Sequence, residues 1–281
     1  MEKGWPIWAC GHFSVAPLTG YTLDMARIFV TGSADGLGKM AAERMVAAGH
    51  QVVLHARNEP RAATARSSIP GAEAVVIGDL SSIDATREVA SQINRLGAFD
   101  AVIHNAGIGY RERQRTATAD GLPNVFAVNS LAPYILTALI NKPKRLVYIS
   151  SGMHHGAEPE LDDLAWTHRG WSGARAYGES KLHNVILAFA VARKWPDVLS
   201  NALEPGWVPT KMGGRGAPDD LDSGSRTQVW LATSEDRAAK VTGGYFYHLK
   251  PREANPAAAD RSIQDRFLAE CGRLSGIPFP A

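Results

Sequence analysis

The sequence has little cysteine: among its 281 residues, only Cys10 and Cys271 are cysteines. Two cysteines cannot build a disulfide framework, and neither has the neighbouring cysteines or histidines that a structural zinc site needs. Unpaired thiols are usual in a reducing compartment. We therefore expect a cytoplasmic protein with no metal site.

Two further absences exclude classes of function. The formal net charge is only +2, so no overall electrostatic attraction to nucleic acid is expected. No apolar run approaches the roughly 18–20 residues that cross a bilayer, so we expect no membrane anchor. Residues 1–24 lack a continuous apolar centre and have few basic residues, unlike a targeting peptide. We expect them to be an N-terminal extension, either a disordered tail, an appended arm or the product of a mis-assigned start ahead of Met25.

From Met25 onward, short β-branched runs alternate with longer helical stretches. The runs predict seven strands, over 27–31, 51–55, 73–77, 100–104, 145–150, 199–203 and 244–248. The main helices are predicted over 39–48, 82–96, 125–140, 173–194, 221–233 and 260–274, with Pro133 bending the third of them. This alternation predicts a parallel sheet covered on both faces. We therefore expect a single α/β domain over residues 25–281, with a doubly wound (Rossmann) sheet of about seven strands.

A glycine-rich turn, Thr31–Gly38, separates the first predicted strand from the first predicted helix. Glycine permits a tight turn and a close approach of a pyrophosphate to the backbone. The helix that follows offers unpaired N–H groups and the positive end of its dipole. The turn therefore predicts a dinucleotide site.

The end of the second strand indicates which dinucleotide is bound. An enzyme that prefers NAD normally carries an acid there, which binds the ribose 2′-hydroxyl. Here the chain carries Arg57, and its first acid is Glu59. A guanidinium suits a 2′-phosphate, so we predict a preference for NADP(H), with NAD(H) possible. The alternative is an ordinary surface arginine.

Tyr177 and Lys181 are four residues apart in a predicted helix, so they share one face of it. A cation near a tyrosine hydroxyl favours the phenolate and lowers the pKa of the phenol. Such a tyrosine can exchange protons near neutral pH. The alternative is an ordinary amphipathic pair, because this spacing is common.

Seven motifs, in order and over roughly 26–233, give the chain its resemblance to the short-chain dehydrogenases/reductases. They are Thr31–Gly38, Asp79-Leu80, Asn105-Ala106-Gly107, Asn129, Ser150-Ser151, Tyr177 with Lys181, and Pro205-Gly206 with Thr210.

The resemblance implies a role for each of these positions. Tyr177 would be the acid/base, Ser151 would hold the substrate oxygen, and Lys181 would bind the nicotinamide ribose and tune Tyr177. Asn129 would maintain a water-linked proton path behind Lys181. Together with Tyr177, Lys181 and Arg57, the residues expected to bind the cofactor are Gly32, Ser33, Asp35, Gly36, Leu37, Gly38, Asp79, Leu80, Asn105, Ala106, Gly107, Pro205, Gly206, Val208 and Thr210.

One departure points to a branch of the family. Ser151 and Tyr177 are 26 positions apart, about double the separation in the commonest members. This spacing is similar to that of the retinol-dehydrogenase-like and WW-domain-oxidoreductase-like branch, which implies a lipophilic carbonyl or alcohol as substrate. The resemblance also suggests a homodimer or homotetramer through the two central helices, with a monomer as the alternative.

The expected function is thus an oxidoreductase that moves hydride between nicotinamide and a carbonyl or alcohol. A non-catalytic dinucleotide-binding sensor or interaction protein is the main alternative, and a lyase or epimerase is a third. Within the long segment before Tyr177, at most one of His154 and His155 is expected to face the pocket. Three loop tryptophans are candidates for an apolar wall: Trp166, Trp171 and Trp207.

Overall fold

The computed structural model describes residues 25–280, and within them the predicted doubly wound sheet is confirmed. The expected N-terminal extension and Cys10 lie outside the described residues. The strands are β1 Arg27–Val30, β2 Gln51–Ala56, β3 Ala74–Ile77, β4 Ala101–His104, β5 Arg145–Ile149, β6 Leu199–Glu204, β7 Tyr245–Tyr247 and β8 Lys250–Pro251. Their order in the sheet is β3-β2-β1-β4-β5-β6-β7-β8.

All neighbouring strands are parallel except β7 and β8. Val30, at the end of β1, pairs with Leu54 of β2 on one side and with Ile103 of β4 on the other. The order of the strands therefore reverses beside β1. In open α/β sheets, ligands bind outside the carboxyl ends of the strands at such a reversal.

Two layers of helices cover the sheet. The helices are α1 Gly36–Ala47, α2 Glu59–Ser68, α3 Ile83–Leu96, α4 Asn124–Phe126, α5 Ala132–Leu139, α6 Gly173–Lys194, α7 Ser223–Thr233 and α8 Arg261–Ser275. Successive side chains of a strand point to opposite faces. Ile28 and Val30 accordingly pack with α1, α2 and α7, whereas Phe29 packs with α3, α5, α6 and α8.

Of the α-helices and strands given above, α2 and β8 were not predicted. Helix α2 has only two fully buried residues, Ala62 and Ala65, so it offers little of the apolar periodicity that marks a helix in a sequence. Asn58 caps its first turn by accepting a hydrogen bond from the backbone N–H of Arg61 at 3.2 Å. The eighth strand, β8, has only two residues and pairs antiparallel with β7.

The sequence predicted that the helix bends at Pro133. The break in helical geometry instead lies just before this proline. The π-helical turn Ala127–Leu131 separates α4 from α5, and Pro133 lies in the first turn of α5. Proline is tolerated there because the N–H that it lacks has no intrahelical partner at that position. The wider turn brings Asn129 into the site described below.

The C-terminal part of the chain packs on both central helices. The ring of Phe267 in α8 stacks on His183 of α6, with 4.9 Å between the ring centroids. The hydroxyl of Tyr134 in α5 donates to the carbonyl oxygen of Ile277 at 2.8 Å. Helix α8 therefore covers the part of α6 that carries His183. The homodimer or homotetramer expected through the two central helices stays a prediction.

Among residues 25–280, four histidines are at most 3% exposed, namely His55, His104, His154 and His183. Burial, as the largest cause, lowers the pKa of His104 to about 3 and that of each of the others to about 4. As the pH falls, these histidines are therefore protonated in the unfolded chain before they are protonated in the folded protein. Their contribution to the stability of the fold is complete above about pH 6.5 and is lost as the pH falls towards 4.

We therefore expect the free energy of unfolding to fall between pH 6.5 and 4.5, by up to roughly 1.4 kcal/mol per pH unit for each histidine. Urea midpoints measured at several pH values check this result. The His168→Gln variant is the control, because it removes an exposed histidine and should leave the slope unchanged. A midpoint that stays constant across this window would contradict the expectation.

Candidate active site

The glycine turn after β1 is built without room for side chains. Gly32 has a φ of +62°, which favours glycine, and a Cβ there would lie 2.8 Å from the Cα of Ala106. A Cβ at Gly38 would lie 2.2 Å from Nδ2 of Asn105. The glycine turn thus interlocks with the turn that follows β4.

Asn105 holds these two turns together. Its Nδ2 donates to the carbonyl oxygens of Thr31 at 3.0 Å and of Gly32 at 3.2 Å. The Thr31 hydroxyl accepts from the backbone N–H groups of Asn105 and Ala106, both at 3.0 Å. The side chain of Asn105 is therefore engaged by the protein, and it shapes the cofactor cleft from behind.

A buried histidine that the sequence did not single out also supports the glycine turn. His55 in β2 accepts from the N–H of Gly32 at Nδ1 (3.0 Å), and its Nε2 lies 2.9 Å from the carbonyl oxygen of Gly78. Ser33 accepts from the N–H of His55 at 2.8 Å and donates to the carbonyl oxygen of Val30 at 2.9 Å. The hydroxyl of Ser33 thus links β1 to β2, and its backbone N–H donates to the carbonyl oxygen of His55 at 3.2 Å, so both groups are engaged within the protein.

Asp35 caps α1 by accepting from the N–H of Gly36 at 2.8 Å. An acid at this helix N-terminus would repel a pyrophosphate, but two cations contact it. Lys211 pairs with Asp35, and Arg61 lies 3.4 Å away. The hydrogen bond with Lys211 is the main cause that lowers the pKa of Asp35. The cradle of glycines and the paired charges fit a dinucleotide phosphate.

The residues predicted around the adenosine half follow neighbouring strands. Arg57 comes directly after β2 and is exposed. Asp79 is exposed after β3, and its Oδ1 accepts from the N–H of Ser81 at 3.0 Å. Leu80 is buried in the core. The carboxyl ends of β2 and β3 therefore place Arg57 and Asp79 along the same edge as the glycine turn.

Tyr177 and Ser151 meet at this edge of the sheet. Tyr177, in α6, is 6% exposed, and its hydroxyl is within hydrogen-bonding reach of the Ser151 side chain. The Nζ of Lys181 lies over the Tyr177 ring, 5.5 Å from its centroid, and donates to the carbonyl oxygen of Ile149 at 2.9 Å. The structure thus brings a phenol, a hydroxyl and an ammonium group together.

The pKa of Tyr177 differs from the sequence-based prediction. Burial is the largest cause and raises the pKa of Tyr177 to about 12, while the hydrogen bond with Ser151 lowers it. Burial also lowers the pKa of Lys181 to about 8. The predicted net lowering of the pKa of Tyr177 is wrong, because burial penalises the charged phenolate.

Asn129 lies directly beside Lys181. A Cβ at Gly107 would lie 3.4 Å from Nζ of Lys181 and 3.5 Å from Oδ1 of Asn129. Asn129 accepts from the N–H of Ile108 at 2.8 Å, and its Nδ2 lies 3.0 Å from the Ser180 hydroxyl. The π-helical turn therefore places Asn129 where it fixes the chain after Gly107 next to the lysine.

The predicted loop after β6 borders the same site. Gly206 has a φ of +87°, and a Cβ there would lie 2.6 Å from Oδ2 of Asp219. Val208 is buried against Gly224, and the Thr210 hydroxyl accepts from the N–H of Gly213 at 3.1 Å. Pro205, Gly206, Val208 and Thr210 thus belong to the segment that leads from β6 to Lys211 and Met212.

Aromatic and sulfur-containing side chains cover Tyr177 on its open side. The Tyr110 ring meets the Tyr177 ring edge-on, with 5.6 Å between centroids. The Sδ of Met212 lies 3.8 Å from the Tyr177 hydroxyl. No motif in the sequence marks either residue. Trp166 and Trp171 belong to the same apolar cluster, whereas the third candidate, Trp207, is 56% exposed.

The described residues contain no helix that is long and apolar enough to cross a membrane. Within residues 25–280, no group of three or more histidine, cysteine or acidic side chains is arranged to hold a metal ion.

Comparisons with known proteins agree with the fold and the motifs. The family model described as short chain dehydrogenase matches residues 26–154. An uncharacterized oxidoreductase of Emericella nidulans is 46% identical over 91% of this chain and 99% of its own length. Retinol dehydrogenase 13 of Homo sapiens is a more distant relative, 29% identical over 92% of this chain and 87% of its own length.

Among solved structures, an uncharacterized protein of Mycobacterium paratuberculosis superposes with a TM-score of 0.79, at 24% identity, covering 91% of this chain and 95% of that one. This similarity supports the fold. The sequence relatives, together with the glycine turn and the Tyr177–Lys181 pair, support the family: the chain belongs to the short-chain dehydrogenases and is an oxidoreductase.

Proposed function

We propose that the protein is an NADP(H)-dependent reductase of apolar carbonyl compounds, with Tyr177 as the proton donor. The observation that carries this proposal is the position of the charged Nζ of Lys181, 5.5 Å from the centroid of the Tyr177 ring, with the Ser151 side chain close to the Tyr177 hydroxyl. Two hydroxyl donors that converge on one point can both bind a carbonyl oxygen. The site therefore suits a reaction in which that oxygen gains a proton.

The protonation states favour reduction. With a pKa of about 12, Tyr177 is protonated at neutral pH, which is the form that a general acid needs. Lys181, with a pKa of about 8, is largely charged. Its charge stabilises the phenolate that forms when Tyr177 gives up its proton. Ser151 holds the substrate oxygen in place during this transfer.

Bound NADPH would supply the hydride. Gly32, Gly36 and Gly38 would leave room for its pyrophosphate, and Arg57 would bind the 2′-phosphate. Lys181 would bind the nicotinamide ribose. Other residues would line the cofactor: Asp79 and Leu80 at the adenine, Asn105, Ala106 and Gly107 along the cleft, and Pro205, Gly206, Val208 and Thr210 at the nicotinamide.

The surroundings of Tyr177 indicate the substrate class. Tyr110, Trp171 and Met212 offer rings and a thioether beside the reacting hydroxyls. Such side chains bind apolar and aromatic groups well. We therefore propose a lipophilic carbonyl compound, and an aromatic one in preference to a short aliphatic one.

A non-catalytic dinucleotide sensor would not require Tyr177, Ser151 and Lys181 to meet, and their contact favours turnover. Nothing in the site favours a lyase or an epimerase. The cytoplasmic location expected from the low cysteine content stays a prediction.

The test is a screen of aldehydes and ketones with the purified protein, followed through the absorbance of reduced nicotinamide. We expect NADPH to be consumed with aromatic carbonyl compounds and more slowly with short aliphatic ones. Tight NADPH binding without turnover on any compound would instead favour the sensor.

A further inference from the structure

The side chain of His154 is fully buried, although it lies in the short helix Gly152–Gly156, which begins directly after Ser151. Its Nδ1 is 2.8 Å from the carbonyl oxygen of Ser151. Its Nε2 lies 3.2 Å from the backbone nitrogen of Asn255, which is 101 residues further along the chain. The imidazole therefore joins the backbone of Ser151 to the C-terminal part of the protein.

The hydrogen bonds define the tautomer of this imidazole. A backbone N–H can only donate, so Nε2 of His154 accepts from Asn255 and carries no proton. The proton is then on Nδ1, and it points to the carbonyl oxygen of Ser151. Burial lowers the pKa of His154 to about 4, which agrees with a neutral ring. Both ring nitrogens are satisfied, and neither is available for chemistry.

The side chain of Asn255 binds the backbone around His154. Its Nδ2 donates to the carbonyl oxygens of His154 at 3.1 Å, His155 at 3.3 Å and Ala157 at 2.9 Å. Its Oδ1 accepts from the N–H of Ala257 at 2.9 Å. One asparagine thus holds the short helix Gly152–Gly156, which begins immediately after Ser151.

Ser151 depends on this loop for its orientation. It has an extended backbone and caps the short helix, accepting from the N–H of Met153 at 3.3 Å. The carbonyl group of Ser151 receives two hydrogen bonds from His154, one from the backbone N–H at 3.0 Å and one from the ring. A rotation of this peptide would move the hydroxyl away from Tyr177.

We infer that His154 and Asn255 are positioning residues for the reduction, holding the backbone of Ser151 so that its hydroxyl stays beside that of Tyr177. This inference rests on the proposed function. A buried histidine that only fills the core would stabilise the fold but would have no specific effect on the serine. The two roles make different predictions for a matched pair of variants.

The variants His154→Asn and His154→Gln test separately the hydrogen bond to Ser151 and the hydrogen bond from Asn255. Asparagine places an amide nitrogen where Nδ1 lies and can still donate to Ser151. Glutamine reaches the position of Nε2 and can still accept from Asn255. We expect His154→Asn to retain most of the turnover and His154→Gln to lower kcat about 10- to 100-fold, the scale for a misplaced reacting group. NADPH affinity, measured by fluorescence titration, should not change in either variant.

A double-mutant cycle with Ser151→Ala gives the decisive result. If His154 acts through Ser151, His154→Gln should lower kcat about 10- to 100-fold in the wild-type background and less than about twofold in Ser151→Ala. The same factor in both backgrounds would overturn the inference while leaving the proposed function intact. Full turnover of Ser151→Ala alone would overturn both the role of the serine and this inference.

Two further variants test the inference without a change at His154. Asn255→Asp keeps the acceptor for Ala257 but removes the three donated hydrogen bonds, so it should lower kcat in the same way. His155→Gln changes the exposed neighbour and should not alter kcat. If Asn255→Asp folds, as judged by circular dichroism, and turns over like the wild type, the inference fails.

Discussion

Replacement of Tyr177 by phenylalanine is expected to remove most of the turnover while leaving the fold and NADPH binding intact. The variant lacks a single oxygen atom, and its ring can still pack against Tyr110 at the observed centroid distance of 5.6 Å. A positioned general acid contributes about 10²–10⁴-fold to the rate. We expect kcat with the best carbonyl substrate to fall by that factor, as measured by NADPH consumption.

The magnitude follows from the surroundings of the hydroxyl. A fall of 10²–10⁴ corresponds to roughly 3–5.5 kcal/mol in the barrier. Neither neighbour can replace the lost donor: the Lys181 ammonium points to the carbonyl oxygen of Ile149, and the proposed role of the Ser151 hydroxyl is to hold the substrate oxygen. A residual rate should remain, because the substrate and the cofactor are still held in place.

Tyr110→Phe is the matched control, since it removes the same oxygen from the ring that packs against Tyr177. We expect less than about a fivefold change in kcat, because the ring and not its hydroxyl forms the apolar wall. Wild-type turnover of Tyr177→Phe would show that the proton comes from another group. Loss of NADPH binding in that variant would assign Tyr177 to the cofactor site instead.

The fold was predictable to the extent that apolar periodicity marks its elements. Strands such as β2 and β5 are buried along almost their entire length, and their sequences are continuous apolar runs. Helix α2 was missed because it rests on two alanines. The covering of α6 by α8 was also not predictable, because it depends on contacts such as that between Phe267 and His183, which are far apart in sequence.

The candidate site was predictable where short motifs or local spacing mark it. Tyr177 and Lys181 share one turn of a helix, and the glycines lie together in one turn. Met212 could not be found in this way, because it meets Tyr177 across 35 residues. His154 was a candidate from its position near Ser151, but its contact with Asn255 spans 101 residues and could not be predicted. The pKa of Tyr177 was mispredicted for a related reason: the spacing places a cation near the phenol but says nothing about burial.

Replacement of Arg57 by aspartate is expected to weaken NADPH binding about 10- to 100-fold while changing NADH binding less than about threefold. A hydrogen bond to a charged group contributes roughly 1.5–3 kcal/mol, and about 1.4 kcal/mol corresponds to a factor of ten in affinity. The substituted carboxylate would also repel a 2′-phosphate, whereas it could accept a hydrogen bond from the 2′-hydroxyl of NADH. Fluorescence titrations with both cofactors give the two dissociation constants.

Arg66→Asp is the control, since it reverses the same charge near the end of α2, the helix that begins shortly after Arg57, where Arg66 pairs with Glu59. Its effect on NADPH should be small and should disappear with added salt, because exposed charges are screened over about 10 Å at 0.1 M ionic strength. Equal losses for NADPH and NADH in Arg57→Asp would remove the proposed preference.

The ratio of the two affinities is the informative quantity, because several cations border the phosphate sites. Arg61 and Lys211 both contact Asp35 beside the glycine turn, so they attract the pyrophosphate that the two cofactors share. Among residues 25–280, Arg57 is in no ion pair, and its guanidinium is exposed at the end of β2. Reversing its charge should therefore change the ratio of the two affinities, whereas removing Lys211 should lower both affinities by a similar factor.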